Sequence, residues 1–168
     1  MKTPVQDEGQ LHKIRVEPMG RRYVEPVLKM WLDLLELTSK VNARYTLSSR
    51  AVSEQRKFFA KHADNPNTYC YVALAGDEPV GFVNGYLILP SKVFIQEEIG
   101  MLENLFVKDD YRRQGIGHQL VRVSYEWFDR FGIREVYVNV VPANETSFHF
   151  WSAMGFDVHK LTMARSLR

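Results

Sequence analysis

The sequence predicts an α/β (α+β) fold: one mixed, mostly antiparallel central sheet with helices on both faces. Three observations carry this expectation. Short apolar runs recur along the chain, at 68–75, 80–89, 102–107 and 135–141, and each has strand length. Between them lie segments whose apolar residues recur at helical spacing. The resulting order, β-α-α-β-β-β-α-β-α-β, gives a sheet that must be covered on both sides.

Each element has a local reason. His12 to Pro18 reads as the first strand, with Ile14 and Val16 on one face. Tyr23 to Ser39 reads as a helix, because Tyr23, Val27, Met30 or Trp31, Leu34 and Thr38 fall at helical spacing. Pro26 belongs in the first turn of that helix, where its missing N–H costs nothing. Ser53 to His62 reads as a second helix with Ser53 as its N-cap. Asn65-Pro66-Asn67 is a turn. Thr68 to Ala75 and Val80 to Leu89 read as strands of a hairpin closed by Gly76-Asp77-Glu78-Pro79. Pro90 to Gly100 reads as a loop or irregular strand start, and Leu102 to Val107 as the next strand. The helix that follows has Ile116, Leu120, Val123, Trp127 and Phe131 on one face. His118, Arg122, Tyr125, Glu126 and Asp129 lie on the other, and Gly132 ends it. Glu135 to Val141 alternates as a strand, and a last strand-like run spans Leu161 to Leu167.

Composition bounds the function. A chain of 168 residues suits one domain with its own core. Charged residues at 25% and hydrophobic residues at 45% suit a soluble globular protein. The net charge of +2 is too small to argue for nucleic acid. One cysteine, Cys70, excludes a disulfide framework and favours a cytoplasmic protein. Its apolar surroundings suit a small core residue rather than a reactive thiol. No apolar run approaches the about 20 residues that span a bilayer. The start, MKTPVQDEGQ, has no apolar core of a secretory signal. Residues 1–10 are expected to form a disordered tail before a single domain at 11–168.

The most informative stretch is LENLFVKDDYRRQGIG, Leu102 to Gly117. A strand, a glycine-bearing turn and a helix N-terminus follow one another directly. That places unpaired N–H groups and the positive end of the helix dipole at one spot. Such a spot suits a phosphate or pyrophosphate. The glycines keep side chains from holding a phosphate away from the backbone. A dinucleotide fingerprint would need glycine where Leu120 stands, and a P-loop would need Lys-Ser/Thr after Gly117, where His118-Gln119 stand.

Arg112-x-x-Gly115-x-Gly117 instead resembles the R/Q-x-x-G-x-G/A turn of the GCN5-related N-acetyltransferases. The likeness continues through the strand after Glu135, Asn144, and Phe150-Trp151-Ser152-Ala153-Met154-Gly155-Phe156, from about Lys13 to the C-terminus. The resemblance implies a cosubstrate, acetyl-coenzyme A, and acetyl transfer to an amine. The N–H groups from Arg113 through Gln114, Gly115, Ile116 and Gly117 to His118 would cradle its pyrophosphate. Arg112 and Arg113 would add charge there or be plain solvated surface. Main-chain groups of Leu105, Phe106 and Val107 would pair with the pantetheine arm. Asn144 would bond that arm, cap a helix, or do both.

The same resemblance implies the chemistry. An alkyl amine, with a pKa near 10.4, must lose a proton before attack. Glu103 matches the carboxylate of polyamine and diamine acetyltransferases that acts on the amine, often through water. Burial in its apolar strand would raise its pKa into a useful range, while an edge-strand position would leave it solvated. The Val107 N–H matches the usual donor to the thioester oxygen, a contact worth about 3 kcal/mol in the transition state. The chain departs from the family where a tyrosine commonly serves as acid to the thiolate: Trp151 stands there, and an indole N–H is not a usable acid. Either the thiolate leaves unassisted, or His149 or Tyr137 supplies the proton. Trp151 then packs on pantetheine or closes the core. Asp33, Glu36, Glu97 and Glu98, with Tyr45, Tyr86 and Phe94, fall where the family builds its acceptor pocket. They would suit a cationic small-molecule amine or a peptide amine. The resemblance leaves a homodimer open. Cys70 offers no acyl carrier, so direct attack in a ternary complex is expected, without a metal. Two rivals differ in class: a non-catalytic coenzyme A-binding sensor or interaction module, which the missing tyrosine motivates, and a nucleic-acid binder using Arg112, Arg113 and Arg122. No membrane partner is expected.

Overall fold

Five strands form one sheet in sequence order, β1-β2-β3-β4-β5. The computed structural model describes residues 13–64, 69–88, 98–165 and 167. The expected tail at 1–10, the Asn65-Pro66-Asn67 turn, most of the 90–100 loop, and Phe94 and Glu97 lie outside them. The strands are β1 (Ile14–Pro18), β2 (Cys70–Ala75), β3 (Glu78–Ile88), β4 (Ile99–Val107) and β5 (Glu135–Val138). The first four run antiparallel to their neighbours, and only β5 lies parallel to β4. The helices are α1 (Val24–Val41), α2 (Ala51–His62), α3 (Ile116–Arg130) and α4 (Glu145–Ala153). The mixed, mostly antiparallel sheet with helices on both faces is the architecture the sequence predicts.

Side-chain alternation along β3 divides the core in two. Phe82 joins Val27, Met30, Phe59 and Phe106 beneath α1 and α2. Its neighbour Val83 joins Leu102, Leu120, Phe128 and Trp151 beneath α3 and α4. Burying each such side chain contributes about 1.5–3 kcal/mol, so both faces hold the sheet. Pro26 sits in the first turn of α1, as its chemistry requires.

Four local expectations need correction. Ser53 lies inside α2, and its hydroxyl donates to the Arg50 carbonyl at 2.9 Å instead of capping the helix. The hairpin turn narrows to Gly76-Asp77, because Ala75 already pairs with Glu78. Gly76 has φ +62°, which suits so tight a turn. On α3 the buried face is Ile116, Leu120, Val121, Ser124, Trp127 and Phe128. A helix lying on a sheet buries a wider stripe than one row of side chains. Phe131 lies past the last turn and stacks on the outer side of Trp127, centroids 4.6 Å apart. Finally, Leu161 to Leu167 alternates like a strand, yet its described residues join no ladder. Leu161 is 66% and Met163 87% exposed. A strand pattern becomes a strand only by pairing.

Candidate active site

The site begins where the sheet comes apart. β4 and β5 pair from Ile99–Glu135 to Leu102–Val138 and no further. Beyond that point β4 continues to Val107, still paired with β3 on its other side. The Lys108 N–H donates to the Val80 carbonyl at 2.9 Å, which makes Val107–Gly81 a pair without mutual hydrogen bonds. By alternation Phe106 exchanges its bonds with Phe82, and Leu105 again turns its groups away from β3. The main-chain N–H groups of Leu105 and Val107 therefore face the side that β5 has left. Those of Phe106 face β3, so only two of the three expected residues of this strand offer backbone groups there.

At the end of β4 the chain turns through Asp109–Tyr111 into α3. Arg113 at φ +63° and Gly115 at φ +80° both adopt left-handed conformations two residues apart. Gly115 is the N-cap of α3, and no side chain caps that end. The first-turn N–H groups of Ile116, Gly117 and His118 have no preceding carbonyl within the helix to bond. Together with the dipole they leave an uncapped, electropositive helix end of the kind that suits an anion. The side chains behave differently from the expectation. Arg112 turns back, its Nε donating to the Val107 carbonyl at 2.9 Å and its guanidinium meeting Asp109 at 2.8 Å. It fastens β4 to the turn. Gln114 Nε2 donates to the Asp110 carbonyl at 3.1 Å, which closes the loop. Gly117 has a further reason to be glycine: a Cβ there would lie 3.2 Å from the Phe150 ring. His118 meets the same ring edge-on at 5.5 Å.

A bulge sets the next group. Asn84 pairs with Asn104, but Gly85 pairs with Leu102, so Glu103 is the extra residue on β4. Gly85 is required there, since a Cβ would lie 2.0 Å from the Met101 carbonyl. Glu103 is exposed, the solvated one of the two alternatives that the sequence leaves open. Its Oε2 accepts from Asn84 Nδ2 at 3.1 Å, and Asn84 Oδ1 accepts from Asn104 Nδ2 at 3.0 Å. Neither asparagine is singled out by the sequence reading, although Asn-Gly inside an apolar strand is itself a bulge signal.

α4 supplies the far wall. Asn144 Oδ1 accepts from the Ser147 N–H at 3.1 Å, so the capping half of its expected role is realised. Trp151 is buried between Phe150 and Phe156, with centroids 5.0 and 5.2 Å away, and closes the core. His149 is exposed on the same helix. The Tyr137 hydroxyl donates to Glu135 at 3.0 Å, toward the paired end of β5. On the α1 side, Asp33, Glu36, Leu37, Lys40, Phe106, Lys108 and Asp109 line an open cavity of about 250 Å³. Lys40 holds Glu36 at 2.8 Å and pushes its carboxyl below the usual range. Glu98, Tyr45 and Tyr86 are exposed and do not line that cavity. Cys70 is buried, and burial pushes its thiol up to about 12, which removes it as a nucleophile. Among the described residues no helix is long and apolar enough to cross a membrane.

Comparison with solved structures finds the same fold. The aminoglycoside N-acetyltransferase AAC(6')-Iy, in complex with the bisubstrate analogue CoA-S-monomethyl-acetylneamine, superimposes with a TM-score of 0.68 at 18% identity. The match covers 92% of this chain and 98% of that one. The aminoglycoside acetyltransferase meta-AAC0020 from an uncultured soil metagenomic sample, in complex with sisomicin, gives 0.66 at 18% identity over 92% and 97%. A transcriptional regulator from Bacillus halodurans gives 0.72 at 18% identity over 92% and 99%. Neighbours with such different descriptions establish the fold and leave the activity to the site. No curated protein matches the chain. The model of the acetyltransferase (GNAT) family matches residues 31–156, three quarters of the sequence, from within α1 to the end of α4, and the chain belongs to that family.

Proposed function

We propose that this protein is an acetyl-coenzyme A-dependent N-acetyltransferase acting on a primary amine, with a small-molecule amine favoured over a protein. The observation that carries the reading is the parting of β4 from β5 beside the uncapped end of α3. An extended arm carrying amide groups fits along the outward-facing N–H groups of Leu105 and Val107. A pyrophosphate fits the N–H groups from Arg113 to His118. These are the two recognition elements of coenzyme A, at the two ends of one groove. Coenzyme A complexes of related folds support the choice of ligand.

In this reading the Val107 N–H donates to the thioester oxygen as it becomes an oxyanion. Glu103, exposed at the bulge, takes the proton from the ammonium directly or through a water. The amine attacks the carbonyl carbon, the tetrahedral intermediate gives up its second N–H proton to water and collapses, and coenzyme A leaves as thiolate. A thiol pKa near 8.5 makes that departure feasible without the tyrosine that Trp151 replaces. Asp33, beside the Glu36–Lys40 ion pair, gives the α1 side a carboxylate suited to a cationic acceptor. The complexes of structural neighbours with sisomicin and with an acetylneamine analogue point the same way.

The test is thiol release from acetyl-coenzyme A across a panel of polyamines, aminoglycosides, amino acids and peptides. Amine-dependent release with a matching acetylated product is expected. Binding of coenzyme A without turnover of any amine would leave the non-catalytic coenzyme A-binding module instead.

A further inference from the structure

Asn84 is a fully buried polar residue in the middle of an apolar strand. A buried amide is costly unless its groups are satisfied. Both ends of this amide are used, and both bonds run to β4 at the bulge, to Glu103 at 3.1 Å and from Asn104 at 3.0 Å. The polarity of this chain of bonds is fixed by Glu103. An ionised carboxylate only accepts, so Asn84 must present Nδ2 to it. Its Oδ1 then faces Asn104, which must donate.

We infer that Asn84 is a positioning residue for the amine acceptor, acting through Glu103 and Asn104; this rests on the acetyl-transfer reading above. A glutamate at the surface samples several rotamers. A bond to a donor fixed in the core selects one of them. The same interaction turns Asn104 so that its Oδ1 points away from Asn84. Glu103 Oε1 and Asn104 Oδ1 have no partner among the described residues. These two adjacent acceptors, with the Asn84 and Asn104 amide nitrogens each donating within the cluster, complement the N–H donors of a primary ammonium. The bulge makes the pair possible, because it carries the side chains of Glu103 and Asn104 to the same side of the sheet, where Asn84 lies.

The experiment is a double-mutant cycle on kcat/KM with the best amine of the panel, using Asn84→Ser, Glu103→Gln and the pair. Acetyl-coenzyme A affinity is measured calorimetrically for each protein. Each single substitution is expected to lower kcat/KM by at least about tenfold, as misplacement of a reacting group does. Cofactor affinity is expected to stay within about twofold of wild type, since Asn84 touches no part of the groove. The double variant is expected to match Glu103→Gln, because removing the positioner costs nothing once the positioned group is gone. Losses that multiply, or a wild-type rate for Asn84→Ser, would overturn the inference. Should Asn84→Ser fail to fold, Asn84→Asp keeps the shape and the acceptor facing Asn104 but loses the donor facing Glu103. The same non-additivity is expected of it, and multiplicative losses would again refute the role. A wild-type protein that binds acetyl-coenzyme A and acetylates nothing would remove the acetyl-transfer reading itself. That result is seen before any variant is made.

Discussion

Glu103 shows what a single residue reveals from sequence and what it hides. Its place in L-E-N-L-F-V marks it as the candidate base. Its face could not be read, because Phe106 and Val107 break the alternation that would decide it. The structure resolves this through a bulge, and the bulge depends on Gly85 across the strand, where any Cβ would strike the Met101 carbonyl. Nothing local to Glu103 encodes that. Glu103→Gln is expected to fold normally, since the residue is exposed and the amide retains an acceptor for Asn84. It should lower kcat/KM by about 100-fold, the lower range of general-base contributions. Unchanged rates at every pH, measured by thiol release, would remove Glu103 from the mechanism.

At the scale of elements, helix existence is legible and helix faces are less so. The periodicity of α3 is plain, but a strict row of i, i+3 and i+4 residues picks Val123 and Phe131 where the fold buries Val121 and Phe128. The breadth of a sheet-packed face is a tertiary fact. The uncapped start of α3 is legible because it is local: glycines, a turn and a helix start follow one another in sequence. The fate of Arg112 is not, since its partners are fixed only once β4 ends where it does. Asn144 caps α4 by a local bond that sequence can anticipate. Asn144→Ala should cost about 1 kcal/mol of stability, read by chemical denaturation. It should also weaken acetyl-coenzyme A binding if the asparagine serves the pantetheine as well; unaltered affinity would confine it to capping.

At the scale of the whole molecule, the two cores clamp a sheet whose last two strands diverge. A mixed sheet follows from element order, but the point of divergence does not. It depends on β5 pairing for only four residues while β4 runs on for five more. The fold also decides the order of chemistry. Cys70, the one thiol, is buried beneath α1 and α2 at 2% exposure, out of reach of a thioester in the groove. Under the proposed function, the acetyl group would then pass directly from cofactor to amine. Initial-rate plots against both substrates should intersect; parallel lines would signal an acyl-enzyme and contradict that route.

The central claim is that the groove from Leu105 to the α3 N-terminus takes coenzyme A. Calorimetric titration with acetyl-coenzyme A, free coenzyme A and NAD tests it most directly. The account predicts micromolar binding of both coenzyme A forms and none of NAD. An absence of coenzyme A binding would mean that the Arg112–Gly117 turn is only a helix start, and would contradict the account.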